Sequence, residues 1–494
     1  MQSLEPAVSA RNSARARDAR NKAGFDLEER TRQYGEQLLG LIEAAAPPSL
    51  FSRKGIYSSL MEWSFRDARF KTQLFRFIDV LPALTSNAEI ARHWREYLGD
   101  EQLQAHLPAA FRLGLKAAGG ASRLFGETVK SRIIAMARQF MLGNDPEEIV
   151  ATLTELQSRG IGFTVDILGE TVVSEVEADV YAKRCLKLME LLSTRIGTNA
   201  GNCRSNDAPH GPVPAVNLSV KISALYSQIQ PAAPEEGIHV ISGRLRPLLR
   251  RAKELGAFVN FDMESYAVKG LTLDLFKKLF SEPEFDRGPA RGLALQTYLK
   301  ECEADLRGII DWSRNASIRP TVRLVKGAYW DYETVIAKER GWPCPVFSRK
   351  AETDANYERL TELLLEHADV VDAALGTHNV RSIARALAQA EQLGLDRRQF
   401  EFQMLHGMAE PIKAAVLQMG CRLREYCPVG ELLPGMAYLV RRLLENTSNE
   451  GFLASRFVRN AATAELLGNP REIASSPPRL VTARTASFEN EPHS

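Results

Sequence analysis

Two adjacent arginines, Arg441 and Arg442, interrupt the otherwise apolar stretch YLVRRLLEN, with Tyr438 just before them and Glu445 just after. Spacings of three and four bring these four side chains to one side of a helix. Two guanidiniums beside a phenol make a planar, bidentate clamp for a carboxylate. The same spacing lets Arg441 pair with Glu445 on a solvated face, worth roughly 0.2–0.5 kcal/mol. Spacing alone leaves both readings open, although Arg before Glu is the weaker order for such a pair.

Further chemistry-bearing residues close a series of short β-rich runs. They are Lys221, Asp262 with Glu264, Gln296, Arg323 with Lys326, Thr377 with His378, His406, and Arg424 with Tyr426. Singly, each is an ordinary ion-paired or hydrogen-bonded loop residue. Together they point to an enzyme, and the cations Lys221, Arg323, Lys326 and Arg424 outnumber the acids, which suits an anionic ligand. In RLVKGAYWD, Gly327 permits close backbone approach, Lys326 supplies a point charge, and Tyr329 and Trp330 offer faces for a planar ring. The chain contains no H-E-x-x-H, EF-hand loop, Walker P-loop or G-x-S-x-G, so metal-centred and serine-hydrolase readings have no support.

The runs that carry these residues are Gly162 to Leu168, Ala215 to Ser223, Ala257 to Glu264, Gly292 to Leu299, Thr321 to Tyr329, Asp372 to Asn379, Phe400 to Gly407 and Cys421 to Val429. Amphipathic helical segments such as YERLTELLLEH and VRSIARALAQAEQLG alternate with them. That alternation predicts parallel βα units, and the span fits a (βα)8 TIM-type barrel of roughly 250 residues with its chemistry at the C-terminal strand ends. A doubly wound sheet would announce itself with G-x-G-x-x-G after the first strand, and GIGFTV does not supply it.

Before the barrel, residues 25–150 read as a helical N-terminal region, with YGEQLLGLIEAA and MEWSFRDARFKTQLFRFIDVL spacing their apolar residues by three and four. Residues 1–24 read as a basic arm, 151–468 as the barrel, and 469–494, rich in Pro and Ser, as a linker-like tail without a core of its own. GTNAGNCRSNDAPHGPVP reads as a long loop.

The 63 Lys+Arg nearly cancel the 61 Asp+Glu, leaving no broad field to attract nucleic acid. The six cysteines form no C-x-x-C pair or disulfide framework and read as reduced thiols of a cytoplasmic protein. No apolar run is long enough to span a membrane, which leaves peripheral contact open.

LSVKISAL, NFDME, GLALQTYL, RLVKGAYWD, THN, FQMLHGM, EYCPVG and YLVRRLLEN, in this order, together resemble the proline dehydrogenase that opens the bifunctional bacterial proline utilization A proteins. The resemblance implies a distorted (βα)8 barrel that binds FAD and oxidises L-proline to Δ1-pyrroline-5-carboxylate, the first step of proline catabolism to glutamate, with electrons passing to a quinone at the inner membrane. It implies catalytic roles for Asp262 and Arg323. Lys221, Tyr426, Tyr438, Arg441 and Arg442 would bind substrate, with Glu445 holding the arginines in position. Gln296, Arg323, Lys326, Gly327, Ala328, Tyr329, Trp330, Thr377 and His378 would hold the flavin. The longer relatives continue into an aldehyde dehydrogenase domain, whose signature is absent here, and SFENEP resembles the linker into it. No convincing ribbon-helix-helix module precedes the helical region. Homo-oligomerisation is compatible with the chain but not legible in it.

Overall fold

The computed structural model describes residues 26–45, 68–99, 122–169, 172–197, 207–208, 211–431, 438 and 466–476. Among the described residues, five helices come first: α1 (Leu27–Ala45), α2 (Ala68–Val80), α3 (Asn87–Leu98), α4 (Ser122–Ala137) and α5 (Pro146–Ser158). Strand and helix then alternate through β1 (Gly162–Ile167), α6 (Glu175–Arg195), β2 (Asn217–Val220), α7 (Pro234–Leu255), β3 (Phe258–Phe261), α8 (Tyr266–Phe280), β4 (Ala290–Gln296) and α9 (Cys302–Ala316). They continue as β5 (Thr321–Val325), α10 (Trp330–Arg340), α11 (Lys350–Glu366), β6 (Asp372–Gly376), α12 (Val380–Leu393), β7 (Phe400–Leu405), α13 (Glu410–Gln418) and β8 (Arg422–Val429). A short helix, α14 (Pro470–Ser475), comes last.

The eight strands pair in parallel, each with the next in sequence, and β8 closes the ring on β1 with Gly162 opposite Arg424 and Ile167 opposite Val429. This is the expected barrel. Its strands are rich in β-branched and aromatic residues, and most of their positions are buried on both faces, because helices cover the outside and side chains fill the interior. Outward residues form the inter-layer core: Phe261 stacks edge-on against Phe276 of α8 at 5.4 Å between ring centroids. Inward residues are unusually polar, and Ser219, Asp262 and Arg323 meet inside the ring.

Several sequence expectations change in detail. The strands stop short of the runs proposed for them: β5 ends at Val325 and β6 at Gly376, so Lys326–Tyr329 and Thr377–Asn379 lie in the loops beyond. The Gly/Asn/Pro-rich loop before β2 contains a two-residue antiparallel ladder, Asp207–Ala208 against Gly211–Pro212. The start of the tail does have a seat. Asn469 caps α14, and Arg349 donates to the carbonyls of Ile473, Ala474 and Ser476 at its other end.

Helix α1 crosses the outside of the barrel and packs on α12 and α13. Leu38 and Ile42 are buried on its inner side. Glu28 pairs with Arg381, whose Nε also donates to Glu358 at 2.9 Å, while Arg30 and the Tyr34 hydroxyl both reach Glu391, at 2.6 and 2.7 Å. Gly35 lets α1 lie close to Leu467, since a Cβ there would sit 2.5 Å from that side chain. The N-terminal helix and the segment before α14 therefore seat on the same flank of the barrel.

Candidate active site

At the C-terminal mouth, four strands converge on one carboxylate. Asp262, just past β3, accepts from Arg323 Nη1 (2.7 Å), Tyr426 Oη (2.7 Å), Ser219 Oγ (3.0 Å) and Asn260 Nδ2 (3.1 Å). Lys221 Nζ stands 3.4 Å from Asp262 Oδ2 and 3.4 Å from Tyr426 Oη. The Arg323 guanidinium also lies over the Tyr426 ring, 5.2 Å from its centroid. Burial opposes ionisation of Asp262, but Lys221, Arg323 and the hydroxyl donors outweigh it and hold the carboxyl below its ordinary range. Burial drives the Tyr426 phenol well above its ordinary value, so it stays protonated and donates.

A second acid, Asp166 on β1, was not singled out from the sequence. It is buried and forms an ion pair with Lys221. Burial pushes its carboxyl upward, reinforced by the negative charge of Asp262 and opposed by Lys221. The available signal was periodicity: in GFTVDI, Thr164 and Asp166 are polar at a spacing of two, the mark of an inward face that is not simply apolar core.

The residues expected around a planar cofactor lie on the adjoining rim. Gln296 donates to the carbonyl of Glu264 at 3.2 Å, while its Oε1 is buried with no hydrogen-bond partner among the described residues, as is Arg323 Nε. Gly327 has φ +125°, and a Cβ there would approach the Tyr298 ring to 2.5 Å, so only glycine brings the chain so close to that ring. Ala328 is exposed, Tyr329 caps α10, and Trp330 is 41% exposed, its indole donating to the Phe347 carbonyl at 2.8 Å. Thr377 Oγ1 accepts from Asn379 N at 3.1 Å, and His378 Nε2 accepts from Leu405 N at 3.0 Å, which fixes the imidazole against β7.

Two members of the expected cationic mouth are engaged otherwise. Arg424 is not at the mouth. Two residues below Tyr426 on the same inward face, it lies in the barrel floor, fully buried, donating to Glu401 Oε1 (2.9 Å) and to the Phe163 carbonyl (2.8 Å). Gly162 leaves room for it, since a Cβ there would come within 3.2 Å of the guanidinium. Lys326 forms an ion pair with Asp354, which Lys350 also holds, and its ammonium lies over the Tyr357 ring.

The other strand-end groups are also partnered. Glu264 accepts from the Ser223 hydroxyl and backbone N–H, and His406 lies 2.7 Å from Glu425. His406, Glu425 and Cys427 bring three donor atoms within 4.8 Å of one another. Lys413 Nζ, 2.8 Å from Glu425, already neutralises that carboxylate, and burial drives the Cys427 thiol well above its ordinary value. This is an ion-paired core cluster. Tyr438 is helical and buried. Arg441, Arg442 and Glu445 fall outside the described residues.

A (βα)8 barrel is common to many enzymes; the family match decides among them. The proline dehydrogenase family model matches residues 149–455, the greater part of the chain, and the proline utilization A N-terminal domain matches 28–140. The chain belongs to the proline dehydrogenase family. It is 31% identical to the bifunctional protein PutA of Escherichia coli (strain K12) over 344 residues, covering 68% of this chain and 25% of that one. Proline dehydrogenase of Deinococcus radiodurans is 26% identical over 333 residues, 67% of this chain and 93% of its own. Among solved structures, proline utilization A of Bdellovibrio bacteriovorus, inactivated by N-propargylglycine, superposes with a TM-score of 0.83 at 41% identity, covering 94% of this chain and 46% of that one. The chain thus spans about a quarter of the curated bifunctional relatives and just under half of that structure.

Within this family frame, the mouth is built from two kinds of side chain. Lys221, Asp262, Arg323 and Tyr426 form one hydrogen-bonded group, and Gln296 and the loop from Lys326 to Trp330 form the adjacent rim.

Proposed function

We propose that this chain oxidises L-proline to Δ1-pyrroline-5-carboxylate using FAD, with electrons passed on to a quinone, as the first step of proline catabolism to glutamate. The observation that carries the reading is the convergence of Arg323, Lys221 and Tyr426 on Asp262 at the barrel mouth of a proline dehydrogenase family member. The rim fits a flavin, because Gln296 Oε1 and Arg323 Nε are buried without hydrogen-bond partners among the described residues. Gln296, Arg323, the Lys326–Trp330 loop, Thr377 and His378 would hold it. FAD, when bound, supplies the two-electron acceptor.

The chain's own residues orient the substrate. Arg441 and Arg442, held by Glu445, grip the carboxylate with help from Lys221, while Tyr426 and Tyr438 wall the ring. Asp262 stays ionised and fixes Arg323 and Tyr426 in place, so the donors around the reacting ring are preorganised. We assign residues 25–150 and 151–468 to the helical region and the barrel. The protein acts in the cytoplasm, with peripheral contact at the inner membrane where a quinone is reduced, and it works without nucleic acid. Continuity with an aldehyde dehydrogenase domain accords with its bifunctional relatives, and assembly into a homo-oligomer is part of the same proposal.

The test is the absorbance spectrum of the purified protein followed by anaerobic L-proline. Flavin bands that bleach with proline and not with other amino acids support the reading; protein that stays colourless after addition of FAD overturns it.

A further inference from the structure

Two carboxylates flank the Lys221 ammonium, and their surroundings differ. Asp262 is held by Arg323, Tyr426, Ser219 and Asn260 as well as by Lys221. Asp166 lies deeper, its side chain 3% exposed, in an ion pair with Lys221, while Arg323 pairs with Asp262. The groups facing Asp166 are Lys221 at the end of β2, Asp262 beyond β3, Tyr426 on β8, and Tyr181 and Cys185 on α6. Burial holds Tyr181 and Cys185 neutral, the thiol pushed up to about 12, so neither competes for a proton. When two interacting acids have their affinities for a proton pulled apart, the less stabilised one takes the proton.

A secondary amine can lose a carbon-bound hydrogen as hydride only with its nitrogen lone pair free. At neutral pH an alkylammonium with an ordinary pKa of about 10.4 is neutral in on the order of one molecule in a few thousand. The proton must therefore leave after binding, and it needs an acceptor.

We propose that Asp166 is a positioning residue that receives this proton through Lys221. The substrate N–H bond breaks as an N–H bond forms on Lys221 Nζ, while another Lys221 N–H bond breaks and an O–H bond forms on Asp166. The substrate becomes a neutral amine, Asp166 a neutral acid, and Lys221 remains an ammonium; no electrons move. The inference rests on the proline-oxidising reading of the same site.

The test compares the wild-type holoenzyme with Asp166→Asn and Asp166→Glu, measuring kcat/KM for L-proline from pH 6 to 10 with an artificial electron acceptor. Asp166→Asn is expected to lose about 100-fold or more at pH 7, within the usual range for a lost proton acceptor. Its rate then climbs about tenfold per pH unit as free amine appears in solution. Asp166→Glu recovers most of the rate at pH 7 and shifts the acid limb of the profile, a shift that a purely structural residue would not produce and that carries the test if the Asn variant does not fold. Cyclopentanecarboxylate, a ring acid with no N–H, provides a binding readout: its Kd from perturbation of the flavin spectrum should change less than about threefold in Asp166→Asn. A profile parallel to wild type, or loss of this binding in step with turnover, overturns the inference and leaves the function standing. Absence of proline-dependent reduction in the wild type overturns both.

Discussion

Asp262 gathers Arg323, Tyr426, Ser219 and Asn260 as donors and stands beside Lys221. Its carboxyl is depressed in the folded protein, so the stability it contributes is fully present above its unfolded value near 3.9 and is lost as pH falls through the lower folded value. Asp262→Asn leaves Arg323 and Lys221 without that charge and should cost roughly 3–5 kcal/mol at pH 7. The gap from wild type should begin to narrow only below about pH 4 and keep shrinking as the pH falls further, and urea titrations at pH 7 and at a series of values below about pH 4 would check this. Asp166 runs the other way, because its raised carboxyl favours the folded state in acid. Arg441→Met and Arg442→Met should each raise the KM for L-proline at least tenfold while FAD stays bound, a loss of about 1.4 kcal/mol or more; an unchanged KM in steady-state assays would reject the clamp. Lys221 and Asp262 stand one residue past β2 and β3 and were legible as strand-end groups, while Arg323 and Tyr426, within β5 and β8, were legible as polar side chains set among apolar ones. Asp166 was hidden because the run Gly162 to Leu168 closes on the apolar Ile167 and Leu168, and Arg424 was misplaced because alternation gives the face of a strand but not the height on it.

At the scale of elements, the barrel could be read because short runs rich in β-branched and aromatic residues alternate with amphipathic helices. Strand ends were less legible: in RLVKGAYWD the ladder stops at Val325, and the turn beyond it is shaped by Gly327 and the Tyr298 ring, a contact between distant segments. The docking of α1 was not legible at all. Its pattern shows which side is apolar, but not that α12 and α13 receive it. Leu38→Ala should cost about 2–5 kcal/mol, as for a fully buried leucine. Thermal unfolding would record the loss, and hydrogen exchange would show it first in α1.

At the scale of the whole molecule, Gln296 Oε1 and Arg323 Nε, buried without partners among the described residues, are atoms that the proposed flavin would satisfy, so its binding should stabilise the fold. FAD at a hundredfold its Kd should stabilise the protein by about 2.7 kcal/mol through mass action alone, visible as a concentration-dependent Tm. None of the described helices is long and apolar enough to cross a membrane.

The pairing of β1 with β8 also sets a timetable for synthesis. Gly162 leaves the ribosome long before Arg424, and at roughly 5–20 residues per second the interval is on the order of tens of seconds. Throughout that time β1 has an unpaired edge, and Asp166 has no Tyr426 beside it. The nascent barrel is an open, sticky sheet until its last strand emerges, so chaperone dependence during translation should exceed anything the finished protein's stability would suggest.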